Sequence, residues 1–150
     1  MKYLKYLFII ILCLAVIAWL YSYLISPNVK LVNNTNKVIR IAKIEFDNNK
    51  IEPEYDDIKN SFISEVSLKP NASYSYDVSM KSILSEKVMR MDTSYEKGEF
   101  GVGKRFTIGQ SGFCKYTIDI YDGYADIKTS KINICYKKLY LVEWKILWHL

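Results

Sequence analysis

In FCKYTIDIYDGYADIKTSKINICY, residues 113–136, apolar and polar side chains alternate on both sides of Asp122-Gly123. Such alternation predicts half-buried strands, and Asp-Gly between two of them predicts a two-residue hairpin turn. In that register Cys114 lies opposite Lys131, which is four residues before Cys135. The two cysteines would then be about 13 Å apart, at roughly 3.3 Å per residue. A disulfide needs Cα atoms about 4.4–6.8 Å apart, so an unbroken hairpin excludes the bond.

The cysteines can therefore be joined only if the regular hairpin ends before Cys135. The polar run at residues 129–131 is the predicted break, after which INICY, residues 132–136, is predicted to form a separate strand beside Cys114. A Cys114–Cys135 bond would stabilise the domain by roughly 3 kcal/mol through the lost entropy of the unfolded chain. The alternative is that both thiols are buried and free.

The N-terminal segment of residues 6–25 predicts a transmembrane helix, since Ser22 is its one clearly polar residue. Twenty residues at about 1.5 Å each span roughly 30 Å, the thickness of a bilayer hydrocarbon core. Lys2 and Lys5 precede the segment, and aromatic residues cluster at its far end, where a membrane interface would lie.

Two kinds of processed leader fit this segment poorly. Signal-peptide cleavage after Ser26 would place Leu24 at −3 and Pro27 at +1, and both residues are unfavourable there. A lipoprotein signal needs a small residue before the lipidated cysteine, but Leu12 precedes Cys13. The segment is therefore interpreted as an uncleaved signal anchor.

This anchor predicts two parts with different locations. Residues 1–26 would form a cytoplasmic stub and the anchor, and the short basic N-terminus would stay inside. Residues 27–150 would then form a domain outside the cytoplasm. The heavy use of Lys, Ile, Asn and Tyr suggests an AT-rich genome and favours a bacterium, in which this domain would lie in the periplasm. That compartment is oxidising and favours the disulfide, which leaves Cys13 unpaired in the bilayer.

The outer domain carries short strand patterns separated by turn residues. Residues 28–50 predict strand, turn and strand, and residues 74–80 alternate strictly. Residues 81–91 predict a short helix, with a strand as the rival, and residues 137–150 a final core strand or an amphipathic helix. The fold expected is mainly β: a small antiparallel β-sandwich of about seven to eight strands with one possible short helix.

Catalytic and ligand-binding motifs are weak. GEFGVGKR, residues 98–105, has the spacing of a phosphate-binding loop but places Arg105 where Ser or Thr should hold magnesium, so a flexible loop is predicted. His149 is the only histidine and no spaced metal ligands accompany it, so neither a metal nor another cofactor is expected. The chain has no Lys/Arg block of the kind that binds nucleic acid.

Two segments are candidate partner-binding loops. The first is acidic with a central aromatic side chain that could anchor a basic partner, and the second is the glycine-rich loop with its two basic residues. The candidate residues are Glu52, Glu54, Tyr55, Asp56 and Asp57 in the first loop, and Lys104 and Arg105 in the second.

An anchor, a small disulfide-capable β-domain and no catalytic constellation favour binding over chemistry. The first hypothesis is a single-pass inner-membrane protein whose periplasmic domain binds a protein, most concretely an immunity protein that neutralises an envelope-acting secreted toxin. The second is an accessory structural subunit of an envelope complex. The third is an envelope hydrolase with a carboxylate pair, although an enzyme is not expected.

Overall fold

The structure, a computed structural model, describes residues 2–50, 65–95 and 100–142. Within these ranges the chain forms two helices and nine strands. The helices are α1 (Lys2–Ile25) and α2 (Met80–Leu84). The strands are β1 (Asn28–Asn33), β2 (Ile39–Phe46), β3 (Glu65–Leu68), β4 (Ser73–Asp77), β5 (Val88–Tyr95), β6 (Phe100–Gly109), β7 (Lys115–Tyr121), β8 (Tyr124–Thr129) and β9 (Lys138–Val142).

Helix α1 is long and apolar enough to cross a membrane. Its 24 residues extend about 36 Å at 1.5 Å per residue. The window Tyr3–Leu20 has a mean hydropathy of 2.4, and its side chains are exposed rather than packed on the domain. The helix ends at Ile25, two residues before β1, and Pro27 prevents it from continuing.

The strands form two sheets, so the predicted mainly β architecture is confirmed. The first sheet has the order β4-β1-β7-β8 and the second the order β3-β2-β5-β6-β9. The pairs are antiparallel, as expected, except that β1 and β7 run parallel from Asn28 opposite Lys115. Strand β1 lies between β4 and β7, with β4 antiparallel and β7 parallel to it. No local pattern in the sequence indicates this position of β1.

One hydrophobic cluster joins the inner faces of both sheets. Along β7, for example, the buried side chains of Tyr116, Ile118 and Ile120 face inward, as the alternation predicted. The ring of Tyr116 meets the ring of Phe106, on the second sheet, edge to face at a centroid distance of 5.1 Å. Further core residues are Val29, Leu31, Ile39, Ile41, Leu68, Val78, Ile83, Met89, Met91, Ile108 and Leu139.

The predicted glycine-rich loop is instead largely a strand. Residues 100–105 belong to β6, which pairs with β5 across an irregularity near Asp92. The Thr93 hydroxyl donates to the Val102 carbonyl and accepts from the Val102 amide, at 3.0 and 2.7 Å. A Cβ at Gly103 would lie 2.7 Å from the Asp92 carboxylate. Glycine at position 103 therefore allows β6 to lie close to the Asp92 side chain of β5. The sequence had suggested that it provides loop flexibility.

Residues 81–91 contain both predicted alternatives in succession. The helix α2 ends at Leu84, and β5 begins at Val88. Ser79 caps the helix, since its hydroxyl accepts a hydrogen bond from the Ser82 amide at 3.2 Å. The segment was ambiguous because the helix is a single turn, too short for a 3.6-residue period to be visible.

Candidate functional site

The predicted binding residues do not form one surface within the described ranges. The acidic group of Glu52, Glu54, Tyr55, Asp56 and Asp57 lies outside them. Lys104 and Arg105 are neighbours on β6, and therefore point to opposite faces of the second sheet. Lys104 pairs with Met91 and is on the core side of the sheet, at its margin, whereas Arg105 is on the outer face.

The predicted disulfide is confirmed. Cys114 and Cys135 are bonded, with Cα atoms 5.8 Å apart. The hairpin keeps the register set by Asp122-Gly123, with Tyr121 opposite Tyr124, and its pairing ends at Thr129. The break between hairpin and disulfide therefore falls where the polar run predicted it.

Residues 131–137, here called the cross-linked segment, do not form the predicted strand. They are irregular, and side chains replace ladder hydrogen bonds. The Cys114 amide donates to Asn133 Oδ1 at 2.8 Å, and Asn133 Nδ2 donates to the Gly112 carbonyl at 3.2 Å. Asn133 and Cys135 thus fix the inner side of the segment. The prediction failed because alternating apolar residues normally mark a strand with a core face.

The apolar side chains of the cross-linked segment point away from the core. Ile132, Ile134 and Tyr136 are 63%, 77% and 53% exposed, respectively. They alternate with the two anchoring residues, so the disulfide holds a ridge of three large apolar side chains in solvent. Contiguous exposed apolar surface of this kind marks a contact with a partner or a membrane.

A buried polar network lies at the end of β2. The Lys43 ammonium pairs with the Glu45 carboxylate, and both side chains are almost fully buried, at 2% and 7% exposure of the residues. The Ser82 hydroxyl, on α2, donates to Glu45 Oε2 at 2.5 Å and lies 2.9 Å from the Ser79 hydroxyl. The Lys43 ammonium also lies 3.4 Å from the centroid of the Tyr76 ring, on the first sheet.

This network contains a carboxylate, an amine and hydroxyls, but its geometry is structural. Burial lowers the pKa of Lys43, against the opposing effect of its hydrogen bond and charge interaction with Glu45. The Ser82 hydroxyl donates to the carboxylate rather than to the amine, so the amine is not placed to activate it as a nucleophile. The contacts join β2, β4 and α2, and the burial of all three side chains denies a substrate access.

The outer face of the second sheet gathers every arginine of the chain. Arg90 on β5 lies directly opposite Arg105 on β6, and Ile44, which shares a face with Arg40 on β2, lies opposite Arg90. The period of two in strands therefore places all three guanidinium groups on one side. This set of Arg40, Arg90 and Arg105 is called the arginine face.

Two of these guanidinium groups are held in place by neighbours. Arg90 Nε lies 2.9 Å from Asp92 Oδ2. The Arg105 guanidinium is 5.0 Å from the centroid of the Phe46 ring and donates to the Lys50 carbonyl at 3.2 Å. Guanidinium groups remain charged at physiological pH and are common at protein interfaces. The arginine face therefore carries three positive charges on one side of the sheet.

Within residues 2–50, 65–95 and 100–142, no group of three or more His, Cys, Asp or Glu side chains is arranged to hold a metal ion. Comparison of the chain with protein-family models, curated proteins and solved structures gives no match.

Proposed function

We propose that this chain is a membrane-anchored β-sandwich that binds another protein through the arginine face. In the most concrete form it is an immunity protein of a bacterial inner membrane, with its N-terminus in the cytoplasm and its domain in the periplasm. There it neutralises a secreted toxin that acts in the cell envelope. The observation that carries the proposal is the concentration of Arg40, Arg90 and Arg105 on one sheet face.

Arginine on a rigid sheet is well suited to binding. Arginine is among the residue types that dominate the energy of protein interfaces. The Asp92 carboxylate beside Arg90, and the Phe46 ring beneath Arg105, restrict these side chains before a partner arrives. Less conformational entropy is then lost on binding, so more of the contact energy contributes to affinity. The partner that fits is an acidic protein surface.

The anchor and the disulfide support the proposed location. An apolar helix with Lys2 and Lys5 at its start favours a cytoplasmic N-terminus. The Cys114–Cys135 bond is typical of an oxidising compartment outside the cytoplasm. A tethered inhibitor would also be concentrated at the membrane, where an envelope-acting toxin arrives.

The test is a competition between two bacterial strains. A strain that lacks this gene is mixed with cells of a toxin-delivering strain, chosen because a copy of this gene adjoins its toxin gene, and survival is counted with and without the full-length chain. We expect the wild-type chain to protect, and the variant Arg40→Ala with Arg90→Ala to lose protection. Lys30→Ala is the matched control, because Lys30 is an exposed cation on the outer face of the first sheet.

Two results would count against the proposal. Full survival of the deletion strain under attack would exclude immunity. Capture of the toxin by the double arginine variant as efficiently as by wild type would exclude the arginine face, since a hot-spot arginine contributes about 2 kcal/mol or more. That loss corresponds to a roughly 30-fold weaker affinity, which a binding titration of the detergent-solubilised full chain resolves.

A further inference from the structure

The exposed apolar side chains of the described part of the domain gather at one end. Large hydrophobic residues with high exposure outside α1 include Tyr124 at the distal hairpin turn and Tyr140 on the edge strand β9. The others lie on segments near the start of β1. They are Met80, Leu84, Phe113, Ile132, Ile134 and Tyr136.

Direct bonds place these segments around the point where the chain leaves α1. The Asn28 amide donates to the Cys114 carbonyl at 2.8 Å, and the Val78 amide donates to the Pro27 carbonyl at 2.9 Å. Phe113 adjoins Cys114, and Met80 follows Val78 by two residues. The start of β1 is therefore flanked by α2 on one side and by the start of β7 on the other.

The cross-linked segment is joined to the same end by two further contacts. The disulfide connects Cys135 to Cys114, and Ile134 and Tyr136 flank Cys135. The ion pair between the Lys137 ammonium and the Glu86 carboxylate connects the segment to the turn after α2. These bonds surround the entry point of β1 with exposed apolar side chains, and this region is called the anchor-proximal end.

The connection to α1 restricts where the anchor-proximal end can lie. Three Cα–Cα steps of 3.8 Å separate Ile25 from Asn28, so the two residues are at most about 11 Å apart. If α1 crosses a bilayer, the anchor-proximal end is then within reach of its surface. The distal turn at Tyr124 is at the other end of β7, about 20 Å away along six residues.

We propose that the anchor-proximal end docks on the lipid surface of the membrane that α1 crosses, with Ile132, Ile134 and Tyr136 inserted at the boundary between headgroups and acyl chains. The inference depends on the membrane anchoring in the proposed function. Aliphatic side chains lose water contact there, and tyrosine favours this interface. The docked domain would hold a fixed orientation relative to the bilayer.

Charge at the anchor-proximal end fits anionic lipid headgroups. Lysines outnumber acids on its segments, which carry Lys81, Lys87, Lys131 and Lys137 against Asp77 and Glu86. Basic residues close to an anionic leaflet are attracted within about one Debye length, roughly 8 Å at physiological salt. A protein partner fits less well, because it would have to enter between this end and the bilayer beside α1.

Photo-crosslinking of the full-length chain in phospholipid vesicles tests the proposal. The photoreactive residue p-benzoylphenylalanine replaces Ile134 in one variant and Tyr136, a similar ring, in a second. Tyr124 at the distal turn is the matched exposed control, and Leu12 within α1 reports the anchor itself. The vesicles contain phosphatidylcholine with phosphatidylglycerol, and intact mass after illumination identifies lipid adducts and the intact disulfide.

We expect lipid adducts at Leu12 and at Ile134 or Tyr136, and none at Tyr124. Adducts at Leu12 alone would overturn the docking and leave the anchor standing, whereas no adduct at Leu12 would overturn both. Adducts at Ile134 with the mass of a second protein chain would show that this end contacts a protein, which would contradict docking on lipid. Lys131→Gln should lower the adduct yield at Ile134 about five-fold in anionic vesicles, because one lysine near an anionic surface contributes about 1 kcal/mol. The same variant should leave the yield unchanged in pure phosphatidylcholine. An unchanged yield in both kinds of vesicle would contradict the role of charge.

Discussion

The buried ion pair of Lys43 and Glu45 gives the sharpest stability prediction. Lys43→Met removes the cation and leaves the Glu45 carboxylate buried with the Ser82 hydroxyl as its remaining donor. Breaking a buried pair on one side costs about 3–5 kcal/mol, because the other charge stays desolvated. Glu45→Gln should destabilise the domain by a similar amount, because the buried Lys43 ammonium then loses its opposite charge.

The double variant Lys43→Met with Glu45→Leu should recover most of that loss. Replacing both partners by apolar residues of similar volume is often neutral or stabilising by about 1–4 kcal/mol. The Ser82 hydroxyl keeps a partner in this variant, since the Ser79 hydroxyl lies 2.9 Å away. The signature is thus strong non-additivity, with the double variant more stable than either single variant.

The pair also gives a pH dependence of defined sign. Burial lowers the pKa of Lys43 below its ordinary value of 10.5, so the folded state releases this proton at a lower pH than the unfolded chain. Between the two pKa values the unfolded state binds more protons, and the contribution of this group to stability rises with pH. The variants without Lys43 should lack that rise.

Urea unfolding of the full-length chain in detergent micelles measures these effects, with near-ultraviolet circular dichroism of the domain as the signal. The free energy of unfolding is compared among wild type, both single variants and the double variant at neutral and alkaline pH. A loss below about 1 kcal/mol for Lys43→Met would contradict this prediction, since an unpaired charge left in that site costs several times more. Equal losses in the single and double variants would refute it as well.

Three further predictions concern the region of the disulfide and are checked by the same unfolding assay. Replacing Cys114 and Cys135 by Ala should lower the free energy of unfolding by about 3 kcal/mol, and reducing the disulfide of the wild type should lower it by the same amount. Tyr116→Phe removes the hydrogen bond that the Tyr116 hydroxyl donates to the Leu139 carbonyl at 2.8 Å, and should cost about 1 kcal/mol at neutral pH. Burial raises the pKa of Tyr116 above its ordinary value of 10.0, so the contribution of this group to stability falls as the pH rises above 10.0, and the Phe variant should lack that fall. Gly112→Ala should destabilise more than Gly123→Ala, because both have positive φ but only Gly112 would place a Cβ 2.0 Å from a carbonyl of β9.

The elements that the sequence predicted well are those set by neighbours in the chain. Asp122-Gly123 fixes the turn and therefore the register of β7 and β8, and the long apolar segment of residues 6–25 specifies α1. The hairpin register excluded a Cys114–Cys135 bond within a regular hairpin, so the bond could be predicted only together with the break at residues 129–131. The parallel pairing of β1 with β7 could not be predicted from the sequence. The two strands are far apart in the chain, and the pattern of apolar residues does not show which distant strand β1 pairs with.

The candidate site was harder to predict for related reasons. In β2 the alternation of Ile41, Lys43 and Glu45 offers no sign that the charged residues share the core face, because their burial depends on α2 and β4 closing over them. Arg40 and Arg90 are likewise fifty residues apart in sequence, and only the pairing of β2 with β5 brings them to one face. In the cross-linked segment the apolar alternation was visible, but its outward direction was not.

The parallel pairing of β1 with β7 has a consequence for biogenesis. Strand β1 follows α1 directly in the chain, yet its neighbour β7 begins only at Lys115. Contacts so distant in sequence form late, and they slow folding because a long loop must close first. The first sheet therefore cannot be completed until most of the chain has been synthesised. If the domain is exported, as proposed above, this late pairing would keep the chain unfolded while it passes through a translocation channel.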